Sequence, residues 1–297
     1  MRILAAFLLL TLVSQTLLAQ DKIALYPATE KVTIDGFEKD KEPPFLDHYK
    51  ANPDSVNGTT ILVCPGGGYT NLALKHEGSD VAEYYASHGF EVFVLHYRLN
   101  IFDQSGHRFP DQYRDVTTAL RTIKSRAKEW KLDPERVGIL GFSAGGHLAS
   151  MGATMHLSAN KKSKTSLEQV SSRPAFAILI YPVIALAGAP AHRGSAEMLL
   201  GKNPDDNLVD SLSTHNRVNS HTPPTFIVYA NDDNGVPPEN GILFYQALRK
   251  HNIPASMLIY DHGGHGFGMA PKDPVLNTWP WLSVKWLDRM GYRLRKK

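Results

Sequence analysis

The stretch Val137-Gly138-Ile139-Leu140-Gly141-Phe142-Ser143-Ala144-Gly145-Gly146-His147-Leu148 reads as a buried strand that runs without a loop into a helix. Val137–Phe142 is a short apolar run of strand length, and the residues from His147 to Met155 are small or apolar in a helical pattern. Between them stands Gly141-Phe142-Ser143-Ala144-Gly145, a G-x-S-x-G segment in the strand–turn–helix context that its chemistry requires. A turn this tight forces Ser143 into a strained backbone conformation. It leaves no room for side chains at Gly141 and Gly145, where a Cβ would strike neighbouring backbone. The hydroxyl is thereby exposed above the N-terminus of the helix, whose N–H groups favour developing negative charge.

Working outward, the chain from Thr59 onward alternates strands with amphipathic helices. Further strands are expected at Thr60–Cys64, Glu91–Tyr97, Phe176–Tyr181, Thr225–Ala230 and Ala255–Tyr260, each a short β-branched or aromatic run bounded by Gly, Pro or Asp. Their nearly continuous apolar character fits strands covered on both faces. One helix is expected from Tyr113 to Trp130, where Val116, Ala119, Leu120, Ile123, Ala127 and Trp130 form a stripe. Others are expected from Pro238 to His251 and from Trp281 to Met290. Such alternation predicts an α/β fold: a mostly parallel sheet with helices on both faces. Residues 20–57 read as an irregular extension with one or two edge strands, and 58–297 as the main domain. Within it, residues 183–222 join two strands by an unusually long connection, expected to be a small cap with one short helix near Ser195–Leu200. Residues 158–173 read as a solvated loop.

Two further segments supply what Ser143 would need. Cys64-Pro65-Gly66-Gly67-Gly68-Tyr69 closes the first core strand, and its glycines leave backbone N–H groups uncovered. The amides of Gly67 and Gly68, with that of Ala144, are candidate donors to an oxyanion. An acid and then a histidine should follow the serine. Asp232-Asp233 comes directly after Thr225–Ala230, and His265 lies in a Gly-rich turn after Ala255–Tyr260, so both fall beyond the C-terminal ends of strands. His265 is the expected general base for Ser143, with a carboxylate holding its ring. Asp233, four residues before Pro237, is preferred as that carboxylate, with Asp232 as the alternative.

The remaining composition is ordinary. The chain has 297 residues, and Lys plus Arg exceeds Asp plus Glu by three (32 against 29). That balance shows no basic face suited to nucleic acid. Met1-Arg2, the apolar run Ile3–Val13 and the small residue Ala19 read as an export leader over residues 1–19, too short to span a bilayer. A periplasmic or secreted protein without stable membrane insertion is therefore expected. Cys64 is the sole cysteine and can form no internal disulfide. The Arg293–Lys297 tail reads as a solvated end. His262 and His265 could suggest metal ligands, but no accompanying Cys or carboxylate pattern supports a zinc site. His147 reads as a packing or capping residue. Tyr69 and Glu77 are candidate substrate contacts, although His76-Glu77-Gly78 could equally only introduce the helix at Ser79. Trp286 is expected in the core, and Trp279 or Trp281 could offer a sugar platform.

Taken together, Val63–Tyr69, Glu77-Gly78, Tyr97-Arg98-Leu99, Asp133–His147, Pro223–Phe226 and Gly264–Gly268 resemble bacterial carbohydrate esterases of the α/β-hydrolase fold. These are acetyl xylan and feruloyl esterases related to the hormone-sensitive-lipase branch. The resemblance covers about residues 58–290. It implies removal of acetyl, or alternatively feruloyl, groups from plant polysaccharides or their oligosaccharides, through an acyl-enzyme and without a cofactor. One departure is Pro65, where lipolytic members carry His, and no long apolar lid is visible. Two other readings compete. A prolyl-oligopeptidase-type peptidase shares the elbow but needs a propeller for which this chain is too short. A catalytically dead binding module would be expected to have lost at least one of Ser143, Asp233 and His265.

Overall fold

The computed structural model describes residues 21–27, 43–101 and 106–293. The leader read at residues 1–19, residues 20 and 28–42 of the expected N-terminal extension, residues 102–105 and the last four residues lie outside the described residues. Eight strands form one sheet in the order β1-β2-β4-β3-β5-β6-β7-β8. They are β1 (Asp21–Ala24), β2 (Phe45–Tyr49), β3 (Thr60–Cys64), β4 (Glu91–His96), β5 (Val137–Phe142), β6 (Ala177–Ile180), β7 (Thr225–Ala230) and β8 (Ala255–Tyr260). From β4 to β8 all neighbours pair in parallel; β1 and β2 add an antiparallel edge. The register sets Cys64 opposite Gly141, so the ends of β3 and β5 lie level. This is an α/β-hydrolase fold, and the loops that leave β3, β5, β6, β7 and β8 all start from one edge of the sheet.

The central strands are buried along their whole length, as their continuous apolar runs predict. The helices are α1 (Asp80–Ser87), α2 (Asp111–Ser125), α3 (Ala127–Trp130), α4 (Ser143–Thr154), α5 (Arg193–Leu200), α6 (Asp206–Leu212), α7 (Glu239–Lys250) and α8 (Thr278–Arg289). The single helix expected over 113–130 is two. Arg126 leaves helical geometry at φ −97°, ψ 8°, and Lys131 then ends α3 in the left-handed region at φ 58°. The break lets the Arg126 guanidinium lie over the Trp130 ring, 4.3 Å away, while that ring packs against Phe93.

The connection at 183–222 holds two helices and a 3₁₀ turn (Thr214–Arg217), where one helix was expected. The additional helix, α6, is capped by Asp205, whose carboxylate accepts from Asn207 and Leu208 N–H. The segment is tied down throughout. Ile184 and Ala185 N–H donate to Asn240 Oδ1, both at 3.0 Å, and the Asn100 side chain donates to Met198 O at 2.8 Å.

The antiparallel edge is fastened to the parallel part by side chains. His96 pairs with Asp47 at 2.7 Å and stacks on Phe45, while His48 pairs with Glu91 at 2.9 Å and stacks on Phe93. Arg98, just beyond β4, is buried and grips the buried Asp115 of α2, with Nη2 to Oδ1 at 2.7 Å; Tyr26 donates to the same carboxylate. Cys64, at the end of β3, is fully buried, and its carbonyl lies under Gly145.

Candidate active site

The strand–turn–helix is built as its glycines require. Ser143 sits at φ 50° between β5 and α4. A Cβ on Gly145 would come within 2.2 Å of Cys64 O, and one on Gly141 within 2.3 Å of Gly145 O. The residue at 145 therefore has to be glycine for α4 to leave the sheet this closely. The cost of the left-handed serine, of order 1–3 kcal/mol, is offset by this surrounding packing.

Ser143, His265 and Asp233 lie in one chain of hydrogen bonds. Ser143 Oγ is 2.8 Å from His265 Nε2, and His265 Nδ1 is 2.7 Å from Asp233 Oδ2. A carboxylate only accepts, so the imidazole proton belongs on Nδ1 and the bare Nε2 faces the serine hydroxyl. Asp233 is buried, and its other oxygen accepts from Gly235 N–H at 3.0 Å and Val236 N–H at 2.8 Å, which fixes the carboxylate plane. Asp232, the alternative acid, is exposed and turns elsewhere: its Oδ1 accepts from Gly264 N–H at 2.8 Å. That bond holds its carboxyl below the usual carboxylate range. The two neighbouring acids thus hold one loop at two points, Asp233 by the ring of His265 and Asp232 by the backbone beside it.

The glycine loop lies against the nucleophile. A Cβ on Gly66 would reach within 2.9 Å of Ser143 Cβ. Gly66 N–H is engaged by Glu77 Oε2 at 2.7 Å, whereas the N–H groups of Gly67 and Gly68 have no backbone acceptor among the described residues. Gly67 (φ 128°) and Gly68 (φ 65°) both lie where glycine is favoured. Ala144 N–H belongs to the first turn of α4, which has no intrahelical acceptor.

Tyr69 and Glu77, both expected as substrate contacts, are buried with their polar side-chain atoms held by protein groups. Tyr69 is fully buried, and its hydroxyl lies 2.8 Å from His147 Nδ1; the opposite ring nitrogen of His147 is 2.8 Å from Leu212 O. A carbonyl only accepts, so Nε2 carries the proton and Nδ1 accepts from the phenol. Burial lowers the His147 pKa from 6.5 to about 4, so the ring stays neutral at pH 7. Glu77 is 3% exposed. Its Oε1 accepts from the Tyr181 hydroxyl at 2.8 Å. Its charge and its place between the glycine loop and the first helix suggested a pocket residue, but tertiary contacts turn it inward.

Tyr181 was not singled out from the sequence. It directly follows β6 in the left-handed region at φ 36°, accepts from Gly268 N–H at 2.9 Å, and packs edge-on against the His265 ring with centroids 5.0 Å apart. The only local sign of its role is its place at the end of a buried strand on the site's edge of the sheet. His192 likewise escaped notice. It caps α5, its Nδ1 accepting from Ser195 N–H at 3.1 Å, and burial followed by the nearby His265 lowers its pKa.

Of the other candidates, Trp279 is buried and its indole N–H donates to Gly268 O at 2.9 Å. Trp281 is 53% exposed, with the Lys285 ammonium over its ring. Trp286 lies in the core. His262 pairs with Asp261 and Asp273. Among the described residues no group of three or more His, Cys, Asp or Glu side chains is arranged to hold a metal.

A family model described as BD-FAE matches residues 46–248. An acetylxylan esterase of Xylanibacter ruminicola is 40% identical over 220 residues, 73% of this chain and 42% of that protein. An endo-1,4-beta-xylanase B of Butyrivibrio fibrisolvens is 35% identical over 227 residues, 76% of this chain and 35% of that protein. This chain thus spans less than half the length of either relative. Among solved structures, an acetyl ester-xyloside bifunctional hydrolase from Caldicellulosiruptor lactoaceticus superposes with a TM-score of 0.84 at 40% identity, covering 92% of this chain and 97% of that one.

Proposed function

Since the chain belongs to the BD-FAE family, we propose that it is a serine carboxylic-ester hydrolase that removes acetyl groups from xylan or xylo-oligosaccharides. The observation that carries this reading is the unbroken hydrogen-bond chain from Ser143 Oγ through the His265 ring to Asp233, beside uncovered amides of the glycine loop. The similarity to an acetylxylan esterase and to an acetyl ester-xyloside hydrolase supports acetylated xylose units as substrate.

In this mechanism Ser143 Oγ attacks the ester carbonyl carbon while His265 Nε2 takes the hydroxyl proton. The carbonyl oxygen becomes an oxyanion and is held by the N–H groups of Gly67, Gly68 and Ala144. Asp233 keeps the ring in its tautomer and stabilises the imidazolium as it forms. His265 then gives the proton to the departing sugar oxygen, and the C–O bond breaks to leave an acetyl-Ser143. Water, deprotonated by His265, attacks that ester and releases acetate. Each oxyanion donor contributes about 3 kcal/mol to the barrier reduction. No cofactor enters any of these steps.

The test is a substrate panel of p-nitrophenyl acetate, acetylated xylo-oligosaccharides, methyl ferulate and longer acyl esters, run on the wild type and on Ser143→Ala. Acetate release that Ser143→Ala abolishes is expected. Strong preference for butyryl or longer chains would overturn the acetyl assignment, and a folded wild type inert on every ester would overturn the hydrolase.

A further inference from the structure

The two halves of the site come from loops far apart in sequence, and one pair of buried side chains joins them. Glu77 accepts from Gly66 N–H at 2.7 Å through Oε2, directly before Gly67 and Gly68, the proposed oxyanion donors. Through Oε1 it accepts the Tyr181 hydroxyl proton at 2.8 Å. The same phenol oxygen accepts from Gly268 N–H at 2.9 Å, on the turn that carries His265. Every polar atom of the pair is thus engaged, and each end fastens a different loop backbone. The Tyr181 ring also meets the loop from its side, edge-on to His265 at 5.0 Å and to Phe267 at 4.5 Å. Burial, and then the Glu77 carboxylate, push the phenol well above its ordinary pKa, so it remains a donor. The Asp233 carboxylate also acts on this phenol, and the half-exposed His76 ring lies beside the bridge with Nε2 3.7 Å from Glu77 Oε1.

We propose that Glu77 and Tyr181 are positioning residues for the ester hydrolysis assigned above, on which this inference rests. Their buried carboxylate–phenol bridge sets the oxyanion donors of Gly67 and Gly68 at a fixed distance from the His265 base. Neither residue touches substrate. Their effect is on the geometry in which the hydroxyl, the base and the two amides meet at the transition state, and much less on ground-state binding. Such an arrangement lowers kcat when broken and leaves KM largely alone.

The experiment compares the wild type with Tyr181→Phe, Glu77→Gln and the double variant on p-nitrophenyl acetate. A small alkylboronic acid, whose tetrahedral adduct with Ser143 imitates the oxyanion, is used alongside as an inhibitor. Each single variant is expected to lose about tenfold to a hundredfold in kcat with KM within about threefold, since indirect loss of oxyanion geometry costs less than removing a donor. The double variant should lose no more than the worse single one, because the two act as a unit. Boronate affinity should fall in parallel with kcat. A variant that only folded less well would titrate to fewer active sites and keep wild-type boronate affinity. Soluble Tyr181→Phe with wild-type kcat and boronate affinity overturns the proposal, as do losses that multiply in the double variant. Each variant is read by itself, so insolubility of Glu77→Gln leaves Tyr181→Phe to decide. A wild type inert on all esters removes the hydrolase reading and the bridge with it. An active wild type with an unimpaired Phe variant removes the bridge alone.

Discussion

Asp232 and Asp233 are adjacent, chemically identical, and separated in role by which way the backbone turns them. Asp233 is buried against the imidazole, and Asp232 is exposed and holds Gly264 N–H. Asp233→Asn presents an amide that can donate to Nδ1, favours the wrong tautomer, and should lower kcat by about 10⁴-fold, as the same change does in the serine-protease triad. Asp232→Ala removes only the backbone clamp, and a loss of less than about tenfold is expected because the ring keeps its Asp233 bond. Steady-state kinetics of both variants on one ester check the contrast; equal losses would contradict it. The preference for Asp233 came from its place four residues before Pro237, the position that D-x-x-V-P loops give the acid in the fold this sequence resembles. Tyr181 and Glu77 were not legible in the same way. A tyrosine after a strand and a glutamate before a helix have no local pattern that reveals a hydrogen bond across 104 residues of chain. The left-handed backbone of Tyr181 is likewise visible only in three dimensions.

At the scale of elements, α4 carries both the nucleophile and a pH-sensitive fastening. His147 ties the glycine loop, through Tyr69, to the end of α6 at Leu212. Its folded pKa of about 4 lies below the unfolded 6.5, so the unfolded chain binds more protons between these values. Stability from this group is therefore complete above about pH 6.5 and is lost as the pH falls towards 4, by up to roughly 3 kcal/mol. Thermal melts from pH 7.5 to 4 should show a falling Tm. In His147→Gln, less stable at pH 7, that decline should be shallower. An unchanged slope would remove His147 as its cause. The core strands and most helices were readable because their apolar runs are long and bounded by Gly, Pro or Asp. The break between α2 and α3 was not, since the apolar stripe continues across Arg126 and only that residue's departure from helical geometry, with its guanidinium over Trp130, divides the helix. The α6 helix did carry a sign, Asp205 before Asp206–Leu212, but its turn count is small and its burial depends on neighbours.

The molecule as a whole is one sheet whose reactive edge gathers segments from Gly66 to Gly268. The legible part was the repeating alternation of strand and helix; how the long connection lies was not, because its anchors are Asn100, His147 and Asn240, far away in sequence. Cys64 sits at the centre of this arrangement, sealed beneath the elbow, with its thiol pushed far above its ordinary pKa by burial. A reagent such as dithionitrobenzoate can colour it only after the packing around the end of β3 has opened, since a protonated, enclosed sulfur does not react. The native protein should therefore label at the pace of global opening, with one equivalent per chain in denaturant, and prompt labelling in buffer would mean that the elbow breathes on its own. The lone sulfur thus serves as a clock for the same interface that shapes the nucleophile, so that loss of shape and loss of function can be timed in a single cuvette.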